Sequence, residues 1–253
     1  MKYFIKILFF VLLPVSANSA CIDNKPDWLW NYEGNIGNTY QVGMSLIFSG
    51  EEVNGLYFYK SKLKDISLKG RIMHGTDITL DELDASGNVT ARFEGKFLER
   101  DPKGKFDSDQ LACEIIAGSW HKLNSPSIPV YLSLGSGTSG SLSHRYAEAG
   151  ASDDNLIHKS AYRFWDAVKR GNRKIVAESI QYPITLHIPN GKKVIRNSAQ
   201  LIDNYDDIFS PQYRDAILAG VPHNMFVNYQ GIMLGDGEVW FGGDGKVIAL
   251  NNK

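Results

Sequence analysis

Six side chains in the C-terminal part of the chain combine ionisable groups with aromatic rings, and they are the first candidates for chemistry. A carboxylate or histidine desolvated in an apolar pocket has a shifted pKa and can act as a general base. Asp166 adjoins Trp165, whereas His187 alternates with Ile184 and Leu186 and is exposed if those two face a core. The same aromatic residues fit an ordinary core, so no catalytic residue is predicted. The candidate pocket consists of Trp165, Asp166, Tyr182, His187, Tyr229 and Trp240.

Glycine motifs give no support for a cofactor. Gly135, Gly137 and Gly140 match the dinucleotide pattern Gly-x-Gly-x-x-Gly, but that pattern needs a preceding βαβ context and a helix that opens on its last glycine. No phosphate-binding loop with Gly-Lys-Ser/Thr and no Gly-x-Ser-x-Gly elbow occurs in the sequence. We therefore predict no cofactor.

The histidines show no metal-binding spacing. None pairs with another at i, i+4, and none lies near a second cysteine, whereas zinc sites need converging ligands. The sequence therefore predicts no metal site. The six histidines are His74, His121, His144, His158, His187 and His223.

The N-terminus has the pattern of a secretory signal peptide. Lys2 and Lys6 precede an apolar run from Ile7 to Val15, and the small residues of 16–20 follow. The run is too short to span a bilayer, and no later segment is apolar enough to do so. The sequence thus predicts a signal peptide over 1–20 and a periplasmic protein, with cleavage after either Ala17 or Ala20.

The two cysteines permit two exclusive interpretations. Paired cysteines are the rule in exported chains, so we expect a Cys21–Cys113 disulfide. The alternative is an outer-membrane lipoprotein anchored through Cys21. A lipobox normally has leucine three residues before its cysteine, and this chain has Asn18, so the disulfide is favoured.

The charge balance argues against nucleic acid. The formal net charge is −1 and becomes −3 once Lys2 and Lys6 are removed. Nucleic-acid binding requires a basic patch, and the charges here are interspersed.

The segment 28–133 alternates apolar and polar residues and is interrupted by frequent turn signals, which predicts an antiparallel meander. Seven or eight such strands usually close into a barrel or form a sandwich, because closure removes exposed edges. We assign residues 21–134 to an all-β, barrel-like domain. Glycines inside the strands fit the corners of a small barrel; they are Gly55, Gly70, Gly95 and Gly118.

The pattern changes after Leu134. The Gly/Ser-rich segment 135–152 predicts a flexible linker. A helical stripe then begins near Asp153, with Ser152 as its expected N-cap, and helices alternate with strands through 153–253. The sequence therefore predicts an α+β domain over 153–253, in which helices pack on a curved antiparallel sheet.

Both parts resemble known folds. Gly-Leu-Tyr-Phe-Tyr at 55–59, Phe-Glu-Gly-Lys-Phe at 93–97 and Ile-Ala-Gly-Ser-Trp at 116–120 loosely resemble the strand repeats of small exported avidin-like or lipocalin-like barrels. Phe-Trp-Asp-Ala-Val at 164–168, Tyr-Pro-Ile at 182–184 and Gly-Glu-Val-Trp-Phe at 237–241 resemble the nuclear transport factor two-like superfamily, with its cone-shaped α+β fold. That superfamily includes isomerases, dehydratases and binding modules, so the resemblance does not fix a function.

The predicted export, the β domain with its expected disulfide and the lack of cofactor motifs favour a non-catalytic periplasmic binding protein. We expect it to act by protein–protein contact, as an inhibitor or immunity-type protein against an envelope-targeted enzyme or toxin. One alternative is a small-molecule enzyme or carrier, isomerase-like or dehydratase-like, that uses the α+β pocket. A second is an envelope accessory protein that binds glycan or lipid in the β domain, which requires Tyr57, Tyr59 or Trp120 to face an open interior.

Overall fold

The computed structural model describes residues 27–98, 114–188 and 191–252. The signal peptide expected over 1–20, Cys21 and Cys113 lie outside the described residues. Export, the disulfide and the lipid anchor therefore stay predictions. None of the helices in the described ranges is long and apolar enough to cross a membrane.

The first part of the chain is a closed barrel of eight antiparallel strands. Each strand pairs with the next one along the chain, and the last pairs with the first. The predicted antiparallel barrel is confirmed, although the first strand was not assigned individually from the sequence. The strands are β1 Trp28–Ile36, β2 Tyr40–Ser49, β3 Glu52–Tyr59, β4 Ile66–Met73, β5 Asp77–Leu83, β6 Val89–Leu98, β7 Ile115–Lys122 and β8 Ile128–Ser139.

Alternation along the strands puts one apolar face inside the barrel. Tyr32, Met44, Tyr57 and Leu132 are among the inward side chains that form one buried cluster. Close strand contact explains the recurring glycines, since a Cβ on Gly118 would collide with the Glu94 carbonyl and with the paired Gly95.

The segment expected to be a linker is instead packed structure. β8 runs to Ser139 rather than ending at Leu134, and its last residues pair with β1. Gly137 leaves room for the Trp28 indole, which a Cβ would strike. Beyond the strand, Tyr146 is fully buried and the Arg145 side chain is 7% exposed. The small residues of 135–152 permit close packing, and the prediction of a flexible linker from their composition is wrong.

The second part is a smaller α+β region with a mixed six-stranded sheet. The strand order is β10-β9-β14-β13-β12-β11, and only the β14–β9 pair is parallel among the described strands. The elements are α1 Asp154–Arg170, α2 Arg173–Glu178, β9 Ile184–Ile188, β10 Gly191–Ile195, α3 Ser198–Asp203, α4 Tyr205–Ile208, α5 Pro211–Ala219, β11 Phe226–Asn228, β12 Gly231–Leu234, β13 Val239–Phe241 and β14 Val247–Asn251.

Local capping sets the helix limits. Asp153, not Ser152, is the N-cap of α1, and its carboxylate accepts the Asn155 N–H at 2.8 Å. Gly171, with φ +65°, ends the helix. Asn197 caps α3, and the chain breaks at Asn204, so α3 and α4 are separate.

Each part has its own apolar core. The α+β core gathers Phe164, Phe209, Phe241 and other buried residues, and it forms a cluster separate from the one inside the barrel. The contact between the two parts includes a set of buried polar side chains next to apolar ones such as Phe58.

Candidate functional site

Buried polar side chains from distant segments meet where the α+β region packs on the outer wall of the barrel. We call this cluster the polar seam. Buried groups of this kind must be hydrogen-bonded to be tolerated, so their partners define the geometry of the seam. Its members are Asn31, Ser45, Asp65, Arg145, Asp154, His158, His223 and Asn224.

Three structural elements position the ionisable members. Asp65 ends the β3–β4 loop at the rim of the barrel. His158 lies on the buried stripe of α1, together with Asp154 and Ile157. His223 precedes β11 and is 5% exposed, with its ring 4.5 Å from the Phe58 ring on the barrel wall.

Arg145 joins two carboxylates. Its Nη1 and Nη2 donate to the two oxygens of Asp65 at 3.2 and 2.6 Å, and its Nε donates to Asp154 Oδ2 at 3.2 Å. Burial alone would raise the pKa of Asp65. Hydrogen bonds from His223 and Arg145, with the charge of Arg145, outweigh that effect and hold the pKa well below its usual range. Asp65 is therefore a poor proton acceptor.

The two histidine rings lie close together, tilted by 34°, and have different hydrogen-bond partners. Their ring centroids lie 3.9 Å apart, and His223 Nε2 donates to Asp65 Oδ1 at 2.8 Å. His158 Nε2 lies 2.9 Å from the Tyr146 hydroxyl, which itself accepts the Met225 N–H at 3.0 Å. The hydroxyl proton therefore points to His158.

His158 Nε2 accepts a hydrogen bond from the Tyr146 hydroxyl, so the proton of the neutral imidazole lies on Nδ1. Burial, followed by the nearby charges of His223 and Arg145, lowers the pKa of His158 to about 3. The imidazole is thus neutral at neutral pH. No hydrogen bond joins this Nδ1–H to another described residue.

A cavity of about 600 Å³ opens onto Asp65, His158 and His223, and we call it the seam cavity. Its rim carries Lys62, Lys64 and Lys159, which are exposed and make no ion pair within the described chain. The remaining lining residues are Ser61, Leu63, Asn155, Tyr162 and Pro222.

The backbone around the seam cavity is locally strained. Leu63, which lines the cavity, has φ +53°, a region that a bulky residue such as leucine rarely adopts. Such conformations persist only when the surroundings impose them, and they concentrate at functional sites.

The seam also brings together a donor set that could hold a metal. Asp65, His158 and His223 each offer a ligand atom, and these atoms lie within 4.8 Å of one another. Two imidazoles and a carboxylate suit Zn²⁺ or Fe²⁺. However, Arg145 already binds the carboxylate of Asp65, and the Tyr146 hydroxyl already binds His158 Nε2. The arrangement favours hydrogen bonding to a ligand over metal ligation.

Within the described chain, no hydrogen bond, ion pair or ring contact joins any two of the six predicted pocket residues. Trp165 and Asp166 are neighbours only because they follow one another on α1. Asp166 pairs with Arg170 at 2.8 Å on the surface of α1, and Trp165 stacks on Tyr162 at 6.1 Å. The Tyr182 hydroxyl donates to the Ala177 carbonyl at 3.0 Å, and burial raises the pKa of Tyr182 to about 12.

The other three lie on or near the sheet. His187 is exposed, as predicted, with Nδ1 2.9 Å from Asn251 Oδ1. Tyr229 is 81% exposed in the turn between β11 and β12. The sequence pattern instead predicts one continuous strand over 225–234, and that prediction is wrong. Trp240 is half-buried on β13 beside a separate cavity of about 400 Å³.

Sequence reasoning missed the polar seam because its members are far apart, with Asp65 and His223 separated by 158 positions. One local signal was present. Asp154 and His158 fall on the same buried stripe of α1 as Ile157 and Ala161, and polar residues at such positions need buried partners.

Compared with protein-family models, curated proteins and solved structures, the chain matches none.

Proposed function

We propose that this protein is a non-catalytic binding protein that holds a small organic anion in the seam cavity. The observation that carries the proposal is the convergence of Lys62, Lys64 and Lys159 on one cavity whose floor presents the neutral His158. Pockets of this size, with a few convergent polar groups, are typical of small-molecule sites.

The charges favour an anion over a cation. The lining contains three lysines against one carboxylate, and Arg145 already neutralises Asp65 from behind. The Nδ1–H of His158 is a donor, and it would suit a ligand that carries an acceptor such as a carboxylate or phosphate oxygen. Tyr162, which is 46% exposed, offers a ring against which an aromatic part of the ligand could pack.

The same groups are poorly suited to proton transfer. A general base works best with a pKa near the operating pH. The pKa of His158 is about 3 and that of Asp65 lies below its usual range, so both are weak bases at neutral pH. This supports binding rather than catalysis. The alternative enzyme based on Asp166, His187 and Tyr229 gains no support, because these residues have other partners or face solvent.

A role as an inhibitor or immunity-type protein, a periplasmic location and the nuclear transport factor two-like cone remain predictions from the sequence. No contact among the described residues favours a protein partner over a small ligand. The binding proposal holds in any compartment.

Titration with phenyl phosphate, benzoate and inorganic phosphate, followed by calorimetry, tests the proposal. The triple variant K62A/K64A/K159A should weaken binding of phenyl phosphate by about tenfold or more, since each exposed charge contact is worth up to about 1 kcal/mol. The matched control K69A/K174A/K192A removes the same charge at exposed lysines elsewhere and should leave the affinity within about twofold.

Affinity should also fall with added salt, because exposed charges are screened. Two results would refute the proposal: no binding of any of the three anions at about 10 mM, or equal losses in the two triple variants.

A further inference from the structure

A second cavity, of about 630 Å³, lies at the end of the barrel where β5 turns into β6, and we call it the barrel-mouth cavity. It shares Lys64 and Asp65 with the seam cavity but otherwise faces the interior end of the barrel. The polar and aromatic part of its remaining lining consists chiefly of Glu82, Asp84, Thr90, Trp120 and Lys122.

Glu82 is the unusual residue of this cavity. It follows Ile78 and Leu80 on the inward face of β5, where a carboxylate replaces the expected apolar side chain. A carboxylate at such a position is costly unless hydrogen bonds compensate it. The carboxylate of Glu82 therefore needs hydrogen-bond donors around it at this position.

Three donors hold the carboxylate of Glu82. Thr90 Oγ1 donates to Oε1 at 2.8 Å, Trp120 Nε1 donates to Oε2 at 3.4 Å, and the Tyr57 hydroxyl donates to Oε2. Burial and the hydrogen bond to Glu82 raise the pKa of Tyr57, so its hydroxyl stays a donor. The carboxylate is thus fixed in orientation, and Oε1, which has Thr90 as its side-chain donor, keeps capacity to accept a further hydrogen bond.

Trp120 places an apolar surface next to this acceptor. Its indole is half-buried, packs against the barrel core on one side and lines the cavity. Aromatic faces carry negative charge density and attract the slightly positive C–H groups of a ligand.

The charges of the lining nearly cancel. Lys64 and Lys122 face Glu82 and Asp84, and the fifth charged residue, Asp65, is already paired with Arg145. The cavity therefore favours an uncharged ligand, in contrast to the lysine-rich seam cavity.

We propose that the barrel-mouth cavity binds a neutral saccharide, with one sugar ring on Trp120 and its hydroxyls on Glu82. A sugar ring offers the required combination of an apolar C–H face and closely spaced hydroxyl donors. The surrounding Asp84, Lys64 and Lys122 can bond further hydroxyls. The barrel interior is filled, because Tyr57 and Phe93 are buried beneath the mouth. The open interior required for a glycan or lipid site inside the barrel is therefore absent from the described residues, and the present proposal concerns the mouth alone.

The test uses the full chain and a set of neutral sugars: glucose, galactose, N-acetylglucosamine and their β-1,4-linked dimers. Ligand-observed NMR and tryptophan fluorescence should report binding of at least one sugar at about 10 mM or below. Trp120→Ala should weaken it by about tenfold and Glu82→Gln by several-fold, since one loses the aromatic platform and the other the charged acceptor.

Trp165→Ala is the matched control, because that half-buried indole lies on α1 outside the cavity, and it should leave affinity unchanged. Lys122→Ala, at an exposed position that should not affect folding, should lower affinity two- to threefold. Wild-type protein that binds none of the sugars, or a folded Trp120→Ala variant with unchanged affinity, would overturn the proposal.

This inference does not depend on the proposed anion site. K62A/K159A, which alters only the seam cavity, should leave saccharide binding intact. Wild-type protein that binds a sugar but no anion would refute the anion site alone, and protein that binds an anion but no sugar would refute the saccharide site alone.

Discussion

The interior of the α+β region and the polar seam beside it are built on opposite principles. Phe164, Phe209 and Phe241 fill the interior with apolar contacts that have no preferred protonation state. The adjacent seam depends on the positive charge of Arg145 and on the neutral tautomer of His158. The interior therefore supplies stability at any pH, whereas the seam makes the contact with the barrel sensitive to charge.

The largest loss of stability should come from a substitution in the apolar interior of the α+β region. Phe164→Ala should lower the free energy of unfolding by about 3–5 kcal/mol, because the ring is fully buried and leaves a cavity. Urea denaturation followed by circular dichroism measures this change. A loss below about 1 kcal/mol would show that this core is loosely packed.

Arg145→Met should cost about 3 kcal/mol, the lower end of the range for breaking a buried ion pair, since Asp65 is 26% exposed. The variant leaves the carboxylates of Asp65 and Asp154 without their cation. Adding D65N and D154N should recover most of the loss, because no unpaired charge then remains. If the triple variant is no more stable than Arg145→Met, the charge of Arg145 is not what holds the seam.

Acidification should weaken the seam and not the cores. His158 has a folded-state pKa of about 3 against an ordinary value of 6.5, so the unfolded chain binds the extra proton first. The free energy of unfolding should therefore fall as the pH drops from about 6 to about 4, by at most about 1.4 kcal/mol per pH unit.

His158→Gln should flatten that slope, and His144→Gln, at an exposed position, should leave it unchanged. Below pH 4 protonation of Asp65, whose folded-state pKa is depressed, should add a further loss. Equal slopes in wild type and His158→Gln would contradict the buried, neutral state of this histidine.

The smallest effect should come from Asp166→Ala, which removes a surface ion pair with Arg170 on α1. We expect a change of about 0.5 kcal/mol or less and no change in the binding of phenyl phosphate. Thermal unfolding and calorimetry check both. A large loss of binding would return this residue to the candidate site.

The fold was more predictable than the site, for a physical reason. Alternation and turn residues are local. They predict a strand over 77–83, which matches β5, and the helical stripe near Asp153 predicts α1 apart from its N-cap. The turn at Tyr229 was missed although Asn228 and Gly231 flank it, and the Asn228 side chain accepts the Gln230 N–H at 2.8 Å.

The seam depends on which outward-facing barrel residues meet the α+β region, and no local pattern encodes that. Asn31 and Ser45 look like ordinary solvent-facing strand positions in the sequence, yet Ser45 is 1% exposed. Composition misled for the same reason at 135–152, where small residues permit close packing against Trp28.

Asn224 contacts the barrel wall through one amide group, which lies 2.8 Å from Ser45 Oγ and 3.4 Å from Asn31 Oδ1. Hydrogen bonds of fixed direction select one orientation among the many that apolar surfaces alone would tolerate. A chimera carrying a foreign barrel, or a foreign C-terminal half, would need this polar triplet as well as matching shape to assemble in the native pose.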